Sequence, residues 1–330
     1  MPLVYLLIFS IFVLPLQAQD KYILGEGYQP GAFPLYIGGY FSLDYKQIDE
    51  EKRFSVDDIS FLSYGGNNTL SYLAELEFKE LYVQTYNGDV KTTQRDHNLY
   101  IERLYIDYTL NDNYSLRAGK FNSAIGFWNL MPINVLRATT SSPEVTEVIF
   151  PKFTSGLDLS YSSFDENEIR VDLILQNNAP IDDEYNNYNI DQHYALGFSY
   201  EKDDYTLKLN GGYFSKRENH PHIDSFAYAL ISAKLEKENY QLLAEMGRQE
   251  SKDSHSNYAT YVQGLYRFTA QHIGIIRLES YKDELENRDD TMAIFGYTYR
   301  PLYPVALKTE YQQHRNNSEN QLIFSFSVLF

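Results

Sequence analysis

Apolar and polar residues alternate along most of this chain, and the alternation is clearest at its C-terminus. The even-numbered positions of the last segment carry the large apolar side chains of Leu322, Phe324, Phe326, Val328 and Phe330. The odd-numbered positions include Ser325 and Ser327. Because successive side chains of a β-strand point to opposite faces, this period of two predicts a strand with one apolar face. The pattern recurs in upstream segments that begin near Leu104, Ile169, Ala227, Tyr240 and Val305.

Short polar turns alternate with longer, more charged links between these segments. Seven short turns lie at residues 65–68, 111–113, 165–167, 202–204, 237–239, 269–270 and 301–304. Eight longer links lie at residues 47–53, 86–98, 122–153, 177–191, 216–223, 251–257, 283–290 and 315–318. These fifteen connections predict sixteen strands, and fourteen strands are the alternative. Short turns at one end and long loops at the other are typical of outer-membrane barrels.

The chemistry of the two faces separates a membrane barrel from a soluble β-sandwich. The chain holds 31 Tyr and 20 Phe, and its apolar faces are rich in these residues, whereas the opposite faces carry charges of both signs. A face in contact with lipid must be apolar, whereas a face that lines a water-filled lumen can carry charges. Aromatic residues beside the short turns predict a girdle at the membrane interface. We therefore predict an all-β fold, a transmembrane antiparallel up-and-down β-barrel of about 16 strands over residues 34–330.

The N-terminus predicts export from the cytoplasm. Leu3 to Leu16 form an almost unbroken apolar run, and Ala18 offers a small residue for cleavage. This run is too short for a membrane-spanning helix, so we predict a signal peptide at residues 1–18 and a short segment at residues 19–33. An N-terminal anchor helix is the alternative. Beyond residue 18 no segment approaches the ~20 apolar residues of a helical span, so a membrane location requires a closed barrel.

The composition argues against several kinds of binding site and catalytic site. A net charge of −17 and a pI of about 4.8 argue against binding to nucleic acid. The chain has no cysteine, which excludes disulfides, thiolate metal sites and a cysteine nucleophile. Seven histidines form no metalloprotease or hydrolase motif, and His220 and His222 share one external link. We predict no cofactor, no metal and no enzymatic activity.

The third long link, residues 122–153, is far longer than the others and unusually apolar. Its large apolar residues are Ile125, Phe127, Trp128, Leu130, Met131, Ile133, Val135, Leu136, Val148, Ile149 and Phe150. Such side chains need a surface to pack against, and loops of this length usually carry function. Folding inward onto the barrel wall would bury them and narrow the lumen. We therefore predict a constriction loop at residues 122–153, with an external cap or a subunit contact as the alternatives.

Three motifs at this place resemble the strand-and-loop signature of the phosphate-selective porin O/P-like family. They are Arg117-Ala118-Gly119-Lys120-Phe121, Gly126-Phe127-Trp128-Asn129 and Thr139-Thr140-Ser141-Ser142-Pro143. The resemblance implies a 16-stranded outer-membrane channel whose third loop folds into the pore, and a barrel that can assemble as a homotrimer. Phosphate-selective members line the pore with arginines and lysines. Here the link carries Arg137 and Lys152 as its cations, opposed by Glu144 and Glu147.

Ten charged residues and one tryptophan are predicted to line the pore. The candidate set is Arg103, Arg117, Lys120, Trp128, Arg137, Glu144, Glu147, Lys152, Glu245, Arg277 and Glu279. Opposed charges across a lumen set up a transverse field that favours small polar solutes over apolar ones. No catalytic residue is predicted.

These patterns together predict an outer-membrane porin of a Gram-negative cell, a passive diffusion channel for small hydrophilic solutes or ions. The alternatives are an outer-membrane barrel enzyme that acts on lipids and a non-conducting barrel that serves as a surface adhesin. Outer-membrane lipid, lipopolysaccharide and the diffusing solutes are the expected partners. A last strand that ends on Phe330 resembles the strand that such barrels present to the barrel assembly machinery, which is a further expected partner.

Overall fold

The computed structural model of the protein describes residues 21–31, 34–164, 167–216, 225–252, 255–316 and 319–330. The predicted signal peptide at residues 1–18, His220 and His222 lie outside these ranges. Nineteen strands form one sheet within the described residues. The strands are β1 (Lys21–Ile23), β2 (Gly27–Gln29), β3 (Leu35–Ile48), β4 (Glu51–Gly66), β5 (Leu70–Asn87), β6 (Val90–Gln94), β7 (Tyr100–Thr109), β8 (Tyr114–Asn122), β9 (Phe153–Phe164), β10 (Glu168–Asn177), β11 (Ile190–Lys202), β12 (Tyr205–Lys216), β13 (Ser225–Glu236), β14 (Tyr240–Ser251), β15 (Ser256–Arg267), β16 (His272–Asp283), β17 (Arg288–Leu302), β18 (Val305–His314) and β19 (Gln321–Leu329).

Sixteen of these strands, β3–β5 and β7–β19, close into a barrel in which each strand pairs antiparallel with the next. The barrel closes between β19 and β3, from Gln321 opposite Ile48 to Leu329 opposite Tyr40. Three short strands are additions: β6 extends β5 as a hairpin, and β1 pairs with β2, which joins β3 beyond the end of β19. The predicted antiparallel barrel of sixteen strands is confirmed.

The two faces of the barrel wall differ as the alternation predicts. On β16, Ile276 and Leu278 are 55% and 58% exposed, whereas Arg277 and Glu279 between and beside them are buried. The same alternation of exposed and buried side chains runs through β14, β15 and β18. Because side chains alternate between the faces of a strand, the exposed apolar set marks the outer face and the polar set the inner face.

The external links are shorter than predicted at three places because the strands continue into them. At residues 47–53 the pairing runs up to Ile48 opposite Glu51, which leaves a two-residue turn. The link at residues 86–98 contains the β5–β6 hairpin, whose Gly88 has a φ of 57°. Strands β16 and β17 likewise leave residues 284–287 in place of a link at 283–290. None of the helices in the described residues is long and apolar enough to cross a membrane.

The seam of the barrel depends on glycine. The backbone N–H of Gly39 donates to the carbonyl of Phe330 at 2.8 Å, and the N–H of Phe330 donates to the carbonyl of Gly39 at 2.7 Å. A Cβ atom at Gly39 would lie 2.2 Å from the carbonyl oxygen of Ser60 and 3.0 Å from Cζ of Phe330. A side chain at position 39 would therefore overlap the backbone of β4 and crowd the ring of Phe330 at the seam.

Candidate pore-lining site

Residues 123–152, here called the long loop, connect β8 to β9. The long loop contains two 3-10 turns, Trp128–Leu130 and Asn134–Leu136, and one short α-helix, Val145–Val148. Its backbone is therefore mostly irregular, and its polar groups need partners outside its own helical turns.

The apolar side chains of the long loop pack against apolar side chains of the barrel. Ile125, Trp128, Val148, Ile149 and Phe150 are at most 1% exposed. They belong to one cluster whose strand members include Ile174, Phe214, Phe226, Tyr228, Leu243 and Ile294. Two residues expected to need such a surface behave differently, because Leu130 and Leu136 are 43% and 39% exposed.

Carboxylates of the inner wall bind backbone amides of the long loop. Glu245 on β14 accepts hydrogen bonds from the N–H groups of Phe127 at 3.2 Å and of Trp128 at 3.0 Å. Glu310 on β18 accepts from the N–H groups of Thr140 and Ser141, and Glu279 on β16 accepts from the N–H of Glu144. Charge-assisted bonds of this kind are stronger than neutral ones, so these acids fix three points of the loop backbone.

Basic residues of the inner wall bind the carbonyl groups of the same loop. Lys208 on β12 donates to the carbonyl of Gly126 at 3.0 Å, and Lys308 on β18 donates to the carbonyl of Asn134 at 2.5 Å. Arg277 donates to the hydroxyl and the carbonyl of Ser141 at 2.8 and 3.0 Å. The sequence predicted that Glu245, Arg277 and Glu279 line a pore. In the structure all three side chains form hydrogen bonds to the long loop.

The three strand cations predicted near the start of the long loop have local partners. Arg103 forms an ion pair with Glu75. Arg117 forms a bidentate pair with Asp107, with distances of 2.7 and 3.0 Å. Lys120 is fully buried and donates to the carbonyl of Ile101 at 2.8 Å.

The remaining predicted residues lie on the loop itself. The ring of Trp128 has the guanidinium of Arg137 at 5.7 Å and that of Arg277 at 5.6 Å from its centroid. Arg137 also donates to the hydroxyl of Ser142 at 3.3 Å. Lys152 pairs with Glu147 at 2.9 Å. Arg137 is thus held against an aromatic face, while the charge of Lys152 is shared with its neighbour.

The surroundings of the loop residue Glu144 alter the pKa of its carboxyl group. Burial, and then the nearby carboxylate of Glu279, raise the pKa of Glu144 to about 7. Arg288, 4.0 Å away, acts in the opposite direction, whereas Glu147 and Asp283 add to the increase. The charge of Glu144 therefore changes within the range of ordinary assay conditions.

The sequence did not reveal an acidic group on strands β3–β7, here called the acidic wall and made of Asp44, Asp57, Asp58, Glu77 and Glu102. Glu77 and Glu102 both accept hydrogen bonds from the hydroxyl of Tyr40, at 2.6 and 2.9 Å. Strict alternation would place Glu102 and Arg103 on opposite faces. Opposite Glu75 and Leu76 the register of β7 shifts by one residue, and Glu102 is the extra residue. Glu102 and Arg103 are therefore both buried. Bulges of this kind redirect a side chain, and a second one lies between Val56 and Asp58.

Two cavities lie between the acidic wall and the long loop. The larger has a volume of about 710 Å³, and its lining includes Asp44, Asp57 and Asp58 from the wall and Arg137 and Glu144 from the loop. The smaller has a volume of about 160 Å³. Strands β3–β7 contribute Tyr40, Asp58, Glu77 and Glu102 to the smaller cavity, and the loop contributes Trp128, Arg137 and Lys152.

A closed barrel of sixteen antiparallel strands with an apolar outer face and a charged inner face is the fold of outer-membrane porins. Solved structures agree with that class. The chain is similar to Salmonella typhi OmpF in complex with daunomycin, with a TM-score of 0.62, 12% identity and coverage of 94% of this chain and 100% of that one.

Two further neighbours have similar scores. The anion-selective porin from Comamonas acidovorans has a TM-score of 0.61 and 9% identity, with coverage of 90% of this chain and 99% of the other. The outer-membrane channel DcaP of Acinetobacter baumannii has a TM-score of 0.60 and 10% identity, with coverage of 92% and 100%. No family model and no curated protein matches the sequence. Identities this low show a shared fold and do not transfer the neighbours' substrates or assembly.

Proposed function

We propose that the protein is a porin of the outer membrane, a passive diffusion channel for small hydrophilic solutes or ions whose long loop folds into the barrel as a constriction. The observation that carries this proposal is the cavity of about 710 Å³ between the acidic wall and the long loop, because its lining is polar and charged. A barrel of sixteen strands is too wide for its own side chains to fill, so the lumen conducts unless it is plugged.

The contacts of the long loop support its role as the constriction. Lys208, Glu245, Arg277 and Lys308 all belong to the inner face, and all bind loop atoms. A loop that capped the barrel from outside would leave these charged groups without those partners. Ile149 and Phe150 also pack into an apolar cluster with residues of the barrel strands, which stabilises the loop in the same place.

We propose that the resemblance to phosphate-selective porins extends to the architecture and not to anion selectivity. Arg117 and Arg103 are paired with Asp107 and Glu75, and Arg277 binds the long loop. Seven carboxyl groups line the larger cavity, three of them from the acidic wall, against four lysine and arginine side chains, Lys46, Arg137, Arg277 and Arg288. A lining with this balance favours cations over anions.

A channel without enzymatic activity accounts for the buried histidine better than a lipid-acting enzyme does. His193 is fully buried and bonds to Thr154 at 3.0 Å and Tyr228 at 2.7 Å, so its ring is committed to a network inside the protein. A non-conducting adhesin would have no use for a polar cavity of this volume.

The remaining expectations follow from the same proposal. The chain is exported by its signal peptide at residues 1–18, Phe330 at the barrel seam engages the barrel assembly machinery, and the outer face contacts lipid and lipopolysaccharide. We propose that barrels associate as homotrimers, as the resemblance implies. No cofactor is required, because the solute gradient drives diffusion.

Reconstitution into planar lipid bilayers tests the proposed function. A channel gives discrete current steps whose size is proportional to the applied voltage. A folded, membrane-inserted preparation that carries no current would overturn the proposal, and lipid hydrolysis by the same preparation would favour the enzyme.

A further inference from the structure

The link between β10 and β11, residues 178–189 and here called the strap, lies at the same end of the barrel as the long loop. Strands β8 and β10 both pair antiparallel with β9, so they run in one direction, and the segments that follow them leave the barrel at one rim. We propose that the strap is a second constriction, which closes the smaller cavity on its external side and confines diffusing solute to the larger cavity. This proposal rests on the channel function proposed above.

The strap is attached to the last residues of the long loop. The side-chain amide of Asn187 donates to the carbonyls of Glu147 and Phe150 at 3.0 and 2.8 Å. The oxygen of the same amide accepts from the backbone N–H of Lys152 at 2.9 Å. One strap side chain therefore provides hydrogen-bond partners for three backbone groups of the long loop.

The strap is also attached to β5 and β7. The hydroxyl of Tyr185 donates to the carboxylate of Glu77 at 2.5 Å, and the ammonium of Lys79 lies 5.1 Å from the centroid of the Tyr185 ring. The backbone N–H of Ile101 on β7 donates to the carboxylate of Asp182 at 3.0 Å. Both bonds to carboxylates are charge-assisted, and the ring contact is a cation–π interaction. These contacts hold the strap on the acidic side of the lumen.

The two attachments require the strap to cross the mouth of the barrel. Strands β7, β8 and β9 lie between β5 and β10 in the sheet. The strap begins after β10, and it nevertheless contacts Glu77, a buried residue on the inner face of β5. A link that stood upright on its own two strands would not reach a side chain inside the barrel. The strap therefore folds inward, as the long loop does.

The smaller cavity lies between the two attachments. Its lining includes Thr146 and Lys152 from the long loop, Glu77 and Glu102 from the acidic wall, and Tyr185 from the strap. Every residue of the strap belongs to the described part of the chain, and none lines the larger cavity. The strap therefore covers one cavity and leaves the other open.

Support of the long loop alone does not account for the contacts of Tyr185. Such support needs the bonds of Asn187 to the loop backbone. Glu77 and Lys79, in contrast, belong to β5, on the side of the smaller cavity away from the loop. The ring of Tyr185 is thus the part of the strap that closes the cavity.

Single-channel conductance of the whole mature chain in planar bilayers tests this closure. Tyr185→Ala removes the ring and opens a second route, so we expect conductance to rise by at least about one fifth, the ratio of 160 Å³ to 710 Å³. Tyr185→Phe keeps the ring and should keep the wild-type conductance. Tyr194→Ala is the matched control, because Tyr194 lies on the outer face of β11 and is 38% exposed.

Ion selectivity shows where the second route runs. Ions that use it pass Glu77 and Glu102, so Tyr185→Ala should increase the preference for cations. Glu102→Gln should then change the permeability ratio more in the Tyr185→Ala background than in the wild type. A double-mutant cycle of these two substitutions, read from reversal potentials, measures the coupling. A strap that only supported the long loop would leave the two effects independent.

The outcomes separate the strap from the channel. If the wild type gives current steps but Tyr185→Ala keeps its conductance, closure by the strap is refuted while the channel stands. An equal rise in Tyr185→Phe refutes closure by the ring, and additive effects of Tyr185→Ala and Glu102→Gln refute the second route. If the folded, inserted wild type carries no current, the channel itself is refuted.

A second variant covers the case in which Tyr185→Ala does not fold. Residues 183–186 are replaced with a Gly-Ser segment of the same length, which removes Tyr185 and keeps Asp182 and Asn187. Raised conductance in this variant supports closure by the strap, and unchanged conductance refutes it.

Discussion

The carboxylate of Glu245 accepts a hydrogen bond of 3.0 Å from the backbone N–H of Trp128. The same carboxylate accepts from Phe127, from the hydroxyl of Ser232 at 2.9 Å and from that of Tyr261 at 2.7 Å. One side chain on β14 therefore joins the barrel wall to the start of the first helical turn of the long loop.

Replacing Glu245 with alanine is expected to loosen the long loop. Two backbone N–H groups would lose their acceptor, at a cost of about 1–3 kcal/mol each when they stay buried. We expect noisier single-channel currents and faster protease cleavage after Arg137. Glu250→Ala is the control, because the Glu250 side chain is 59% exposed and its partner Arg248 is exposed too. Equal protease resistance in the two variants would contradict the anchoring role.

Deleting residues 124–149 is expected to raise single-channel conductance. An empty barrel of sixteen strands leaves an open aqueous channel, so an increase of about twofold or more is expected. Shortening the exposed β5–β6 hairpin by a few residues serves as the control and should leave conductance unchanged. Unchanged conductance in the loop deletion would place the long loop outside the conducting path.

Charges at the smaller cavity are expected to set ion selectivity in opposite directions. Arg137→Gln should shift the permeability ratio towards cations and Glu102→Gln towards anions. Each shift should be about fourfold, since a unit charge ~10 Å from an ion in water-like surroundings contributes about 0.4 kcal/mol with opposite sign for cations and anions, or about 0.8 kcal/mol in their ratio. Reversal potentials in a salt gradient measure this ratio. Arg248→Gln, on the outer face, is the control, and shifts of the same sign in both inner variants would argue against the assigned placement.

Selectivity is also expected to depend on pH through Glu144. The pKa of Glu144 is raised to about 7 by burial and by Glu279, so the group is charged at pH 8 and neutral at pH 5.5. Acidification removes a negative charge from the larger cavity and should lower cation preference. In Glu144→Gln the pH dependence of the reversal potential should be smaller because this titration is absent, whereas Ser142→Ala, an uncharged change in the lining of the same cavity, should keep the pH dependence. An identical pH profile in wild type and Glu144→Gln would contradict the assignment.

Gly39→Ala is expected to destabilise the barrel at its seam. The new Cβ would overlap the carbonyl of Ser60, and overpacking of this kind typically costs about 1–3 kcal/mol. Urea unfolding in lipid or detergent measures the loss. Gly211→Ala is a suitable control, because its nearest neighbour, the carbonyl oxygen of Tyr228, is 3.6 Å away. If both variants unfold alike, the close approach at Gly39 is not limiting.

The period of two predicted the barrel, its sixteen strands and its apolar outer face because these follow from local alternation. The acidic wall escaped the prediction for a physical reason. Glu102 and Asp58 lie at β-bulges, which shift the pattern by one residue and turn a side chain to the other face. A period of two contains no signal for such a shift.

The sequence also did not predict which groups the charged inner-face side chains would bind. Arg277 and Glu279 carry the charges of a pore lining, but whether those charges meet solute or the backbone of residues 139–144 depends on contacts more than a hundred residues apart. The apolar content of the long loop did predict that most of it would be buried. It did not distinguish Val135, which is buried, from the exposed Leu136 beside it.

The inner wall is divided between strands β12–β18, whose charged groups bind the long loop, and strands β3–β7, which carry the acidic wall. Substitutions on strands β12–β18 remove hydrogen bonds that hold the long loop in place. Substitutions on strands β3–β7 change the charge of the surface that faces the solute. In an engineered version of this barrel, the width of the opening could be changed through strands β12–β18 and its solute preference through strands β3–β7. The two properties could therefore be altered independently.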